Sequence, residues 1–460
     1  MEQRSQFKAN LTDGPIGKAL YQMTLPMIAG MLAMMIFNIV DTYFVARLGS
    51  IPLAAMGFTF PVVFTVGHVA LGIGIGASSV IARKIGEGDG EQVQRITTDS
   101  ILLSFIVVLV TAILGFFTIE PLFRLMGASQ ETTGYIIGYM RIWYAGVIFV
   151  VVPMVGNHAM RAGGDTLLPG IIMGIGSVLN MILDPLLIFG YAGLPAMGIR
   201  GAALATVISR ATTLALALWF LYAKKKMITF RPVPVSKIIR SWLAILHVAL
   251  PSALSMMVPT VCLGILTWMV SGFGQKAVAG FGVAGRVEGL ALVLFIALST
   301  VFGPFIGQNY GALKISRIRK GLTKVMNFSL GWGTFQAIIL FMLAEPIAGL
   351  FDKDPQVMRV AVLYLKIVPL TYAFVSIVFL ISSAFNALGH PVPAIWLMLI
   401  RLVALHLPLA WIARDRFGLA GFLSVHYLSG IVSAVIAIQW LRSWLKKSQI
   451  AVAIAAAEPG

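Results

Sequence analysis

Charge, cysteine and catalytic signatures are what this chain of 460 residues has least of. Only 11% of its residues are Asp, Glu, Lys or Arg, against 59% hydrophobic. So little polar surface cannot coat a water-soluble domain, and the chain reads as an integral membrane protein. One cysteine, Cys262, excludes an internal disulfide and gives no metal framework, so it reads as a packing residue. The six histidines lack metal-ligand spacing. No Walker-type lysine loop follows a glycine run, which argues against direct ATP drive. The stretch GIGIGAS at residues 72–78 looks like a dinucleotide loop but lies inside an apolar run with no strand before it. Its Gly72 and Gly76 read instead as a small-residue face for helix packing. No enzyme is expected, nor any cofactor beyond a coupling ion. A cleavable signal peptide is also not expected, since the first fifteen residues carry both charge signs and the first apolar run is too long for an h-region.

What is present is a series of long apolar runs. Twelve begin near Ile16, Pro52, Val93, Thr132, Thr166, Gly198, Ile238, Ala277, Leu322, Val357, Val392 and Leu419. Their length suits membrane-spanning helices, whereas a barrel would show short alternating segments. The formal net charge of +17 invites a nucleic-acid partner, but the basic residues cluster in alternate loops. Arg83, Lys84 and Arg95 follow the second run, Lys224 to Lys226 with Arg231, Lys237 and Arg240 the sixth, and Lys314, Arg317, Arg319, Lys320 and Lys324 the eighth. The positive-inside rule then places both termini in the cytoplasm, with anionic lipid heads as the partner of that charge.

An internal repeat organises the runs. Leu25-Pro26 matches Leu250-Pro251, Gly86 matches Gly311, Glu120-Pro121 matches Glu345-Pro346, and Tyr139-Met140-Arg141-Ile142 matches Tyr364-Leu365-Lys366-Ile367, all at one offset (251 − 26 = 225). The expectation is two parallel six-helix lobes, 1–225 and 241–447, joined by a cytoplasmic linker at 226–240 and followed by a flexible tail at 448–460. Pro232 and Pro234 lie in the linker region.

Two carboxylates break the apolar pattern. Asp41 lies in the first run and Asp184 in the fifth, and an ionisable group at such depth is costly to keep without a function. Their repeat equivalents are Leu266 and Leu409, so the acids belong to one lobe only. Asp41 lies eight residues before Gly49, roughly 12 Å below the outer end of its helix. Asn180 is four residues before Asp184 and shares its face, while Tyr139 and Thr206 fall at a similar level on the fourth and sixth runs. These five residues are the candidate proton or cation site, with Na+ at Asp41 and Asp184 as the metal alternative. A proton moving down about 100 mV supplies roughly 2.3 kcal/mol, enough to drive a solute uphill. Pro26 removes a backbone hydrogen bond in mid-helix and is the expected bending point; Pro185 stands beside Asp184.

Met31, Met34, Met173, Asn38 and Asn157 are the candidate lining of a substrate cavity, soft methionines suiting varied ligands although they are also ordinary filler. Glu288, near Arg286, is expected at the membrane interface. Arg210 and Arg401 each sit several turns from a loop and would suit an anionic substrate.

The motifs NIVDTYFVARLGSIPLAAMGF, MRAGGDTLLPG, LNMILDPLLIFG and MGIRGAALATVISR, with the twelve runs in two repeats, make the chain resemble the multidrug and toxic compound extrusion (MATE) transporters to about Lys447. Asn180 and Asp184, with an acid in the first helix, resemble the branch named after DNA-damage-inducible protein F. The resemblance implies an all-α, V-shaped, two-lobe fold in the inner or plasma membrane. It also implies export of drugs and organic cations by a monomer, driven by inward H+ or Na+. On it, Asp41 and Asp184 are the ion-responsive acids, Tyr139, Asn180 and Thr206 their network, and Pro26 the bend. The seventh run, Leu243 to Val270, lacks the acid that the NorM-type branch uses in its C-terminal lobe. A flippase or exporter for lipid-linked or anionic substrates is the alternative.

Overall fold

The computed structural model describes residue 7 and residues 9–457, with side chains as far as Lys447. Among the described residues all regular structure is helical. The helices are α1 (Ile16–Ala46), α2 (Ser50–Glu87), α3 (Gly90–Leu125), α4 (Gln130–Ala162), α5 (Leu167–Phe189), α6 (Ile199–Trp219), α7 (Val235–Ser271), α8 (Gln275–Gly311), α9 (Ile315–Phe351), α10 (Pro355–Ile367), α11 (Tyr372–Ala387), α12 (Val392–Met398) and α13 (Leu407–Ala457). Among the described residues, eleven helical stretches are long and apolar enough to cross a bilayer. The last of them, Val392–Lys447, is interrupted at Gly418 (φ 63°, ψ −153°), which divides it into two and gives the twelve crossings expected.

Local chemistry sets the ends. Asp89 caps α3 by accepting from the Gln92 N–H at 3.1 Å, and Ser129 caps α4 by accepting from the Thr132 N–H at 3.2 Å. Asp354 caps α10 with Pro355 in its first turn, where the missing N–H costs nothing. The repeat is visible in the starts: Ser50 and Gln275, Gly90 and Ile315, Gln130 and Pro355, Leu167 and Val392 all keep the offset 275 − 50 = 225. The counterpart of the continuous α4 is broken into α10 and α11 by a 3-10 turn at Val368–Thr371, where Pro369 cannot donate. A π-helical stretch at Leu399–His406 joins α12 to α13.

The chain forms two compact units. One contains Tyr21–Ala253; the other contains Leu254 onward together with Leu11–Leu20. The division therefore falls inside α7 rather than in the linker before it. In the first unit α4 is the central helix, packed against α2, α3 and α6. The first half of α7 joins this unit because Gly72 lets it close in: a Cβ there would lie 2.7 Å from both the Ala249 carbonyl oxygen and the Ala253 Cβ. Gly72, Gly74 and Gly76, the look-alike dinucleotide loop, are thus contact points for Ala253, His158 and Ile245.

In the second unit the segment before α1 is strapped to the ends of α8 and α9. The Leu11 N–H donates to Gln308 Oε1 at 3.2 Å, and Asn309 Nδ2 donates to the Leu11 carbonyl at 3.1 Å. Arg317 donates to the Asp13 and Gly14 carbonyls, each at 2.8 Å, while Lys314 pairs with Asp13 at 2.8 Å. At the other end α13 continues to Ala457, through most of the stretch read as a flexible tail; residues 458–460 lie outside the described residues.

Candidate functional site in the first unit

On α1, residues spaced by four place Phe37, Asp41 and Val45 on one buried face. Asp41 is 5% exposed and Asp184, on α5, is fully buried. Asn180, one turn before Asp184, orients its amide so that Nδ2 donates to Asp184 Oδ2 at 2.8 Å and Oδ1 accepts from the Thr206 N–H at 3.1 Å. Small residues make this reach feasible. Gly176 of α5 lies against the Thr213 methyl of α6, and Gly201 of α6 against the Leu187 carbonyl of α5. The buried Tyr139 of α4 is within electrostatic reach of both acids, which also act on each other. Asp41 Oδ1 is buried with no hydrogen-bond partner among the described residues.

Four helices thus bring Asp41, Asp184, Asn180, Tyr139 and Thr206 to one place. Ser209, which the sequence did not single out, belongs there too: its hydroxyl lies 3.5 Å from the Asn180 side-chain amide. The four-residue step from Asn180 to Asp184 was a legible spacing; that α5 and α6 meet beside Ser209 was not. Chemically the cluster is a pair of acids in apolar surroundings with one amide donor, one phenol and an unfilled carboxylate oxygen. Two carboxyl groups that interact at this range share their proton affinity as a pair and not singly.

The same element carries the proposed bend. Pro26 cannot donate, so the Gln22 carbonyl one turn back loses its helical partner. The start of α5 grips α1 at this level. Thr166 Oγ1 donates to the Met23 carbonyl at 2.7 Å, and a Cβ on Gly170 would lie 2.8 Å from the Pro26 carbonyl oxygen.

The other candidates are dispersed. Met31, Met34 and Met173 are half-buried, Asn38 is exposed, and Asn157 is buried on α4 beside His158 and Arg161. Atoms Asn157 Oδ1, His158 Nε2 and Arg161 Nε are all buried without a partner among the described residues. Glu288, expected at the membrane interface, lies more than three turns into α8, which begins at Gln275, and is half-buried. Tyr364 of α10 donates to it, and Arg401 acts on it electrostatically. Cys262 is free and buried, as a packing residue would be. An apolar groove of about 380 Å³ between α3 and α4, lined by Phe116, Phe117 and Tyr144 among others, does not touch the carboxylates.

Comparison with known proteins accords with this geometry. The family model described as MatE matches residues 26–186 and 251–412, one match in each repeat. The chain is similar to a protein of Shewanella oneidensis named FAD transporter, 37% identical over 90% of this chain and 91% of that one. It is similar also to a probable multidrug resistance protein NorM of Thermotoga maritima, 27% identical over 88% of this chain and 87% of that one. Among solved structures, the Vibrio cholerae MATE transporter VcmN in the bent form superposes with a TM-score of 0.89 at 30% identity, covering 98% of this chain and 99% of that one. Two family matches at the repeat offset, on a helical scaffold shared with a solved transporter over nearly its whole length, mean that this chain belongs to the MATE family of multi-pass membrane transporters and is not an enzyme.

Proposed function

We propose that the protein is a secondary active exporter of amphipathic, often cationic organic compounds, exchanged for H+ or Na+ by alternating access. In this reading it sits in the cell membrane with both termini cytoplasmic. The observation that carries it is the buried assembly of Asp41, Asp184, Asn180, Tyr139 and Thr206 in one unit. A charge change on Asp41 alters what its face of α1 packs against, and Pro26 is where α1 yields. The name of the bent-form relative supports a bend as part of the cycle. Asp184 keeps its place through Asn180, so it holds the second charge of the pair.

Efflux of a fluorescent organic cation from proteoliposomes, with proton and sodium gradients imposed in turn, tests this. Asp41→Asn is expected to insert and fold but to lose gradient-driven efflux altogether. Efflux at the wild-type rate in that variant refutes the reading, and the gradient that drives the wild type names the ion.

A second reading takes an anionic substrate, such as a flavin dinucleotide. It is favoured by the relative named FAD transporter and by two arginines, Arg210 and Arg401, within membrane-spanning helices.

A further inference from the structure

Arg210 lies eleven residues into α6, which starts at Ile199, and is therefore about 16 Å from that end. The helical stretch runs on to Lys224, so the other end is farther still. An arginine at such depth cannot snorkel out to water and is retained where it faces a partner or a polar path. Arg141 and Arg286 also lie eleven residues into their helices but are exposed, so Arg401 and Arg161 are the arginines to set beside Arg210. Arg401 has the Glu288 carboxylate acting on it. Arg161 lies in the last turn of α4, where the helix C-terminus favours a cation. Arg210 has neither. It forms no ion pair within 4.0 Å among the described residues. Its guanidinium rests on an aromatic ring, the central carbon lying 5.6 Å from the centroid of Phe37.

The placement of that contact matters. Phe37 is one turn before Asp41 on α1, and Arg210 is one turn after Thr206 on α6. The Arg210–Phe37 pair is therefore the next layer along the same two helices from the carboxylate cluster. Phe37 is buried and Arg210, taken as a whole residue, is half-buried, so the ring backs the guanidinium. A planar fork with five donors and no counter-charge fits a carboxylate or a phosphate two-pronged.

We propose that Arg210, seated on Phe37, is the anion-binding residue of the substrate site and engages the phosphate or carboxylate of an amphipathic organic anion. The assignment rests on the second, anionic-substrate reading above and names the residue and the substrate group for it. A soluble organic phosphate and an anionic lipid head present the same chemistry to it.

Binding without a gradient separates this assignment from transport. The full chain, in nanodiscs of phosphatidylcholine, is titrated with flavin mononucleotide and with riboflavin, which differ only by a phosphate, and flavin fluorescence is read. Wild-type protein is expected to prefer the phosphorylated flavin by about tenfold or more, the scale of a charge-assisted hydrogen bond. Arg210→Gln should remove the preference while riboflavin binding persists, and Arg210→Lys should restore much of it. Arg210→Met, which keeps an apolar stem, replaces Arg210→Gln if the latter does not fold. Competition by added phosphatidylglycerol in the wild type but not in Arg210→Gln would support the site with a lipid head as its occupant. No preference in the wild type, an unchanged preference in Arg210→Gln or Arg210→Met, or equal loss of both flavins would each overturn the assignment. Loss of efflux in the transport assay alone would count against the export reading and leave this result standing.

Discussion

Leu313 occupies a backbone position that its repeat partner gives to glycine. Gly88 ends α2 at φ 76°, with its own N–H donating to the Ile85 carbonyl and that of Asp89 to Lys84. Leu313, 225 residues on, holds φ 58° with the same two bonds to Tyr310 and Asn309. A leucine in the left-handed region costs about 1 kcal/mol relative to glycine, and its side chain is 66% exposed, so little packing offsets that cost. Leu313→Gly is expected to raise the thermal midpoint of the purified protein, with Gly88→Leu lowering it. The acids behave differently as signals. Asp41, Asn180, Asp184 and Tyr139 stood out in the sequence because polar groups inside apolar runs are conspicuous and a spacing of four fixes a shared face. Glu288 was equally conspicuous, but its partner was not legible, since a spacing rule applied to Arg286 says nothing of Tyr364, which is 76 residues from Glu288.

At the level of elements, close approach between helices decides which segment belongs where. Gly72 has the Ala249 carbonyl and Ala253 against it, so an added methyl meets backbone that cannot swing aside. Gly72→Ala is expected to destabilise by about 1–3 kcal/mol, seen as a lower unfolding midpoint, whereas alanine at Gly57, which has open space around it, should be nearly silent. The glycine spacing was readable as a packing face; its partner on α7 was not, because contact between distant helices leaves no local periodicity. The strap at Leu11–Gly14 escaped sequence reading for the same reason, as Lys314 and Arg317 look like ordinary positive-inside charge. Arg317→Ala removes its bonds to the Leu11, Asp13 and Gly14 carbonyls and should speed amide exchange in residues 11–20 about tenfold. The Lys314 hydrogen bond and charge hold the Asp13 carboxyl below its ordinary value. The contribution of that carboxyl is therefore fully present above about pH 4 and is lost as pH falls through the lowered value. Exchange in this segment, corrected for intrinsic rates, should be flat from about pH 8 to about pH 5 and rise only in stronger acid.

For the whole molecule, twelve crossings in two repeats were legible because hydropathy and a constant offset are global signals. The placing of α7 in both units was not, since the boundary is set by packing and not by the proline-containing linker. Duplication also explains how buried charge is balanced. In the second unit Glu288 accepts from Tyr364 and lies within electrostatic reach of Arg401, so Glu288→Gln is expected to lower the unfolding midpoint. Adding Arg401→Met to that variant should recover much of the loss, and a double-mutant cycle on thermal unfolding measures the coupling.

Tyr139 and Tyr364 stand at the same register of the two halves; Tyr364 donates to Glu288 of α8, while Tyr139 lies within electrostatic reach of Asp41 of α1 and Asp184 of α5. Two halves cast on one repeat thus seat a phenol alike and draw its acidic neighbour from different walls, so the repeat offset locates the hydroxyl in each half but not the acid.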